Sequence, residues 1–144
     1  MSDINTITGD TLDDILDYVI ARFESVLGYK QIPWAIKEDD LPDIDSPVFY
    51  LSGTSQLDRS YNSSYHAECR DVIRLKVLNQ IKNQEPVAAR KKIIEECARM
   101  ETEFIKNTES DNFTFLNFSK AIDIYHDNYF LVTVELEVSY ERSL

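Results

Sequence analysis

Glycine is scarce, at three in 144 residues. A Gly-x-Gly-x-x-Gly turn or a P-loop needs more than this chain supplies in any one stretch, so a phosphate cradle of that type is excluded. A Gly-x-Ser-x-Gly elbow is missing too, which removes the usual hydrolase nucleophile. Positive charge is also short, with Lys+Arg 15 against Asp+Glu 26 and a formal net charge of -11. A protein that grips phosphate backbones needs basic patches, so the balance argues against nucleic-acid binding. No apolar run approaches the roughly 18 residues of a membrane span. Met1-Ser2-Asp3-Ile4-Asn5 has neither a basic nor an apolar leader region, so no secretion signal is expected.

Only two cysteines occur. Cys69 falls in a predicted strand and Cys97 in a predicted helix, both on the apolar side, where free cysteine behaves as a small hydrophobe. Both are expected to be reduced thiols in a cytosolic setting. What the chain does have is a globular composition: 43% hydrophobic residues and 11% aromatics. A chain of this length folds as one domain, here residues 1–144, and buries about 68–70% of its unfolded surface without disulfide or metal.

Hydrophobic spacing gives the elements. Leu12, Ile15, Leu16, Val19, Ile20 and Phe23 fall on one helical face, which predicts a helix over Thr11–Leu27. Asp13 and Asp14 suit its positive end, and Gly28 is a left-handed stop. Ile32–Ile36 is a short extended piece held to an edge by Pro33. Val48–Leu51 is a buried strand. Ser52–Ser64 is polar and reads as a long flexible loop or a hairpin arm. From Tyr65 to Asn79 a strand alternates Ile73, Leu75 and Val77 with Arg70, Arg74 and Lys76. A second helix spans Pro86–Lys106, with Ala89, Ile93, Cys97, Met100 and Phe104 on one face. Phe113–Tyr125 is a strand whose parity changes near Leu116–Phe118, a bulge signal. His126-Asp127-Asn128 turns it into a last strand, in which Phe130, Val132, Val134, Leu136, Val138 and Tyr140 alternate with Leu131, Thr133, Glu135, Glu137 and Ser139. The expected fold is α+β: a four- to five-stranded mixed or antiparallel sheet with both helices on one face.

Candidate chemistry is thin. Glu38, Asp39, Asp40, Asp43 and Asp45 lie in a loop broken by Pro42 and Pro47, without the glycine turn of a calcium site, and read as a solvated acidic loop. His66 and His126 lack partners at zinc-ligand spacing. A magnesium nuclease would join Pro42-Asp43 to a later Glu-x-Lys. The chain offers only Glu68-Cys69-Arg70 and Arg74-Leu75-Lys76, each short of one residue type. Arg90-Lys91-Lys92 is balanced by Glu95 and Glu96 on a wet helical face. No catalytic residue, metal or cofactor is expected. Leu131, Tyr129 and one of Phe115 and Leu116 must lie off the main apolar face, which leaves apolar surface for a partner or a second covering layer.

The order of elements resembles the phage tail terminator proteins. It runs from Leu12 to Arg142: an amphipathic helix ending at Gly28, strand pieces, a polar loop, the long strand with Arg70–Val77, a charged helix and a closing hairpin over Tyr129–Glu141. Thr11-Leu12-Asp13-Asp14-Ile15-Leu16 and Leu131–Val138 are the stretches most like that family. The resemblance implies a non-enzymatic virion protein, made in the host cytoplasm and placed at the tail–neck junction. It forms a homo-hexameric ring that ends the tail tube, contacts the tube protein and a neck or head-completion protein, and lets DNA pass without binding it. No membrane is involved. An acidic lining would repel phosphate. A ring needs two different patches on each subunit. Arg70, Arg74 and Lys76 on one strand face and Glu135 and Glu137 on another are candidates to meet across that interface; equally they are solvent-exposed, or neighbours within one sheet. The polar segment with Gln56, Leu57, Asp58, Arg59 and Tyr61 is the candidate tube contact, expected to order on docking. Other readings are a head-completion or small tail protein, an acidic α+β adaptor, and a magnesium nuclease.

Overall fold

The computed structural model describes residues 11–32, 44–61, 65–81, 85–106, 113–125 and 129–143. Helix α1 (Thr11–Ser25) leads through strand β1 (Lys30–Gln31) to the long strands β2 (Val48–Tyr61) and β3 (His66–Gln80). Helix α2 (Pro86–Glu101) continues into a π-helical turn over Thr102–Lys106 and is followed by β4 (Phe113–Tyr125) and β5 (Tyr129–Ser143). The strands form one mixed sheet in the order β1-β2-β3-β5-β4. Only the β1–β2 pair is parallel; the other three pairs are antiparallel. The α+β reading holds.

Helix α1 ends as its sequence dictates. Gly28 has φ +78°, and the Tyr29 N–H donates back to the Phe23 carbonyl at 2.9 Å, so the chain turns through a left-handed glycine and satisfies a carbonyl of the last turn. Helix α2 opens with Pro86, which gives up an N–H that the first turn leaves unused. The expected strand at Ile32–Ile36 is displaced: pairing is seen at Lys30 and Gln31, with the Ile32 N–H on the Phe49 carbonyl at 2.8 Å, and residues 33–36 lie outside the described residues. So do Glu38, Asp39, Asp40, Asp43, His126 and the turn around it.

The loop reading of Ser52–Ser64 is corrected, and its hairpin-arm alternative holds. Strand β2 continues through this polar stretch to Tyr61, paired with β3 from Val48↔Leu78 to Tyr61↔Ala67. The arm is not free, because β5 flanks β3 as far as His66↔Ser143. Small polar residues stay extended here because β3 supplies a ladder of partners, broken at Ser52 and Leu57, not because of their own preference.

Pairing of Ile73 with Leu136, Leu75 with Val134 and Val77 with Val132 sets one apolar face across the centre of the sheet. These residues form one buried cluster with Ile15, Val19 and Phe23 of α1 and Ala89, Ile93, Cys97 and Met100 of α2. Rings run through this core in contact: Phe23 stacks on Phe49 at 4.9 Å, meets Phe104 at 5.2 Å, and Phe104 meets Phe115 at 5.4 Å. Burying one such ring is worth about 1.5–3 kcal/mol. The parity change in β4 is a bulge between Phe115 and Asn117, which buries Phe115 and turns Leu116 outward. Both cysteines are free and buried, and burial pushes the Cys97 thiol up.

Candidate functional site

The opposite face of the sheet carries no helix side chain of the core cluster. Even-numbered β3 residues and odd-numbered β5 residues point there, which brings Arg70, Arg74 and Lys76 alongside Glu135 and Glu137. Arg74 and Glu135 are direct cross-strand partners, with Nε donating to Glu135 Oε2 at 2.8 Å and Nη1 to Ser55 Oγ at 2.7 Å. Arg70 reaches diagonally to Glu137, its Nε donating to Oε2 at 3.1 Å, and this bond raises the Arg70 pKa above its ordinary value. The inter-subunit pairing of these charges is therefore corrected to the within-sheet alternative: residues from β3 and β5 of one chain satisfy each other. Lys76 lies opposite Thr133.

The face mixes polar and apolar residues: Tyr50 of β2, Val72 of β3 and Leu131 and Tyr129 of β5 lie on it by register, each half-buried, as expected from the sequence for Leu131 and Tyr129. Gly53, Ser55 and Asp58 of β2, Thr133 and Ser139 of β5, and Ser119 and Ala121 of β4 share it by register. Glu68, Glu141 and Asp123 bring its acids above its bases. His66 sits at its rim, 3.4 Å from Glu141. At the other end, Val48 and Leu78 are buried on this same side, and the Ile44 N–H donates to Gln80 Oε1 at 2.7 Å, which ties the start of residues 44–47 to that corner.

Of the five candidate tube-contact residues, Gln56, Leu57, Asp58 and Tyr61 are exposed on β2, with Leu57 at a bulge between Gln56 and Asp58. Arg59 is corrected: it turns to the helix-covered side. Its Nη1 donates to Asp71 Oδ1 at 2.6 Å and its Nη2 to Oδ2 at 3.3 Å. Tyr140 completes the group, donating its hydroxyl to Asp71 Oδ2 at 2.6 Å. Asp71 is 1% exposed. The bond to Asp71 raises the Arg59 pKa, and burial followed by the same carboxylate raises that of Tyr140. A buried carboxylate held by a forked guanidinium and a phenol is a fixed structural node rather than a reactive one, because both of its oxygens accept from donors.

A second polar group joins the two helices. Tyr29 donates to Glu96 Oε1 at 2.7 Å; Arg99 donates to Glu96 and to the carbonyls of Val26 and Leu27, each at 3.2 Å. A cation on the carbonyls just past the end of α1 complements that end of the helix. Burial, then Glu96, raises the Tyr29 pKa. A shallow cleft beside it is lined by Asn79, Lys92 and Asp45, and Asn79 Nδ2 is buried there without a hydrogen-bond partner.

The residues of the two nuclease-like triplets divide between the faces of β3. Cys69 points into the core, whereas Glu68, Arg70, Arg74 and Lys76 belong to the uncovered face, and Asp43 lies outside the described residues. Among the described residues no three His, Cys, Asp or Glu side chains group as metal ligands, and no helix is long and apolar enough to cross a membrane. The chain matches no protein-family model and no curated protein.

Proposed function

We propose that the chain is a structural virion protein of the tail terminator kind, a subunit of a sixfold ring that ends a tail tube and joins it to the neck. The observation that carries this reading is the asymmetry of the sheet. Both helices belong to one side, and the other side, among the described residues, carries more acids than bases, with Arg70 and Arg74 ion-paired within it. Such a surface suits the wall of a passage for DNA, because phosphates meet an excess of carboxylates, and Arg70 and Arg74 are already paired with Glu137 and Glu135. The net charge of -11 supports the same role. On this reading the uncovered face turns to the lumen, the helices face outward, and the rims meet the tube protein and a neck protein.

The test is native mass across a concentration series with negative-stain images of the same sample. The expected particle is a ring of six with an open centre. A chain that stays monomeric throughout, or assembles without an opening, overturns the reading. A neck or head-completion ring would share these features. Purified tail tubes separate the two: a terminator caps the tube end and blocks further growth.

A further inference from the structure

We infer that β4 of one copy pairs antiparallel with β2 of the next, so that the sheet continues from subunit to subunit. The inference deepens the ring reading and rests on it. Its grounds are the strand directions. From β2 to β3 to β5 to β4 every neighbour is antiparallel. A second copy set beside the first in the same orientation brings its β2 against β4 in the antiparallel sense, with helix-covered face continuous with helix-covered face.

Among the described residues both edges are long and open. Strand β4 has 13 residues and, among the described residues, no strand on its outer side. Strand β2 has 14, and β1 occupies only Val48 and Phe49, which leaves Leu51 to Arg59 without an outer strand among the described residues. An open edge is a row of unused N–H and C=O groups that templates pairing. Exposed apolar side chains accompany both: Leu57 on β2, and Leu116 and Ile124 on β4, the last 77% exposed. The register shifts fall between Leu51 and Gly53 and between Gln56 and Asp58 on β2, and between Phe115 and Asn117 on β4, with none in the central β3–β5 ladder. Bulges add bend and twist, which a sheet needs in order to close on itself. Pairing of β4 with a second β4 is also antiparallel, but it leaves β2 open in every copy; the β4–β2 junction satisfies both edges at once.

Hydrogen exchange and edge prolines test this together. Neighbouring residues of an edge strand alternate in the direction of their N–H, so one of Ser119→Pro and Lys120→Pro removes an outward N–H of β4, and one of Thr54→Pro and Ser55→Pro does so in β2. The variant of each pair that keeps the wild-type circular dichroism and urea midpoint is used. Backbone amides of both edges should exchange at least tenfold more slowly in the assembled wild type than in dilute monomer. Each proline variant alone should lose assembly. An equimolar mixture of a β2 variant and a β4 variant should stop at a pair, since only one junction is intact. Rings whose edges gain no protection overturn the inference and leave the ring reading standing. A β2 variant that assembles like wild type shows β4–β4 pairing and overturns it as well. A wild-type chain that is monomeric at every concentration, its edges blunted by their bulges, overturns both.

Discussion

The same chemistry appears twice on strand β3, in opposite settings. On the helix-covered side Asp71, with a side chain 2% exposed, is gripped by Arg59 and Tyr140. On the uncovered side Arg74 and Glu135 meet at 2.8 Å with side chains 35% and 43% exposed. The buried group has lost its water, so removing one member strands the others. The open pair keeps water as an alternative partner. Arginine–carboxylate contacts of similar length therefore do different work: one fixes the position of β2 over β3, and the other tunes a surface.

Substitutions can break or sharpen this contrast. Phe23→Ala empties the centre of the covered side, where Phe49, Tyr29 and Phe104 all touch that ring; a loss of about 4 kcal/mol is expected by urea unfolding. Asp71→Ala should lose about 3 kcal/mol, because Arg59 and the Tyr140 hydroxyl are left without their acceptor. Arg59→Met with Asp71→Leu should lose less than Asp71→Ala alone, since no orphan charge remains. Equal losses would mean that packing, not charge, holds the node.

Tyr140→Phe should lose about 2 kcal/mol, the range of a hydrogen bond to a charged group. It also has a pH signature. The folded pKa of Tyr140 is raised, so its contribution is complete below the ordinary tyrosine pKa of about 10 and declines as pH rises above it. The melting temperature should fall above about pH 10, less steeply in Tyr140→Phe. Tyr29 is raised for the same reason, so Tyr29→Phe should flatten the slope as well. Arg74→Ala is expected to cost only about 0.5 kcal/mol, and that cost should shrink in 1 M salt, unlike the loss in Asp71→Ala.

Much of this was legible in the residues. Helices α1 and α2, the Gly28 stop, the alternation of β3 and β5 and the bulge in β4 follow from periodicity and backbone chemistry. The polar half of β2 was hidden, because Ser52 to Tyr61 show no apolar alternation and become a strand through their neighbour β3. The buried node had one visible sign: Asp71 occupies the parity of Cys69, Ile73, Leu75 and Val77, the apolar register of its strand. Nothing in the sequence marked Arg59 as its partner, since the pairing depends on the β2–β3 register, which a bulge shifts. Likewise Arg70 and Arg74 were visible as a basic face and Glu135 and Glu137 as an acidic one, but their meeting required β5 to lie beside β3.

The strand order has a kinetic consequence. The sheet is two hairpins, β2–β3 and β4–β5, laid side by side, and their seam is the β3–β5 ladder. Each hairpin can form from nearby residues, but the seam joins residues as distant as His66 and Ser143 and encloses α2 within its loop. Long-range closure of this kind slows folding. The expected rate-limiting event is the docking of two preformed hairpins beneath the helices, so destabilising changes along the seam, such as Leu75→Ala or Val134→Ala, should slow refolding more than equal losses at Phe49 or Ile122.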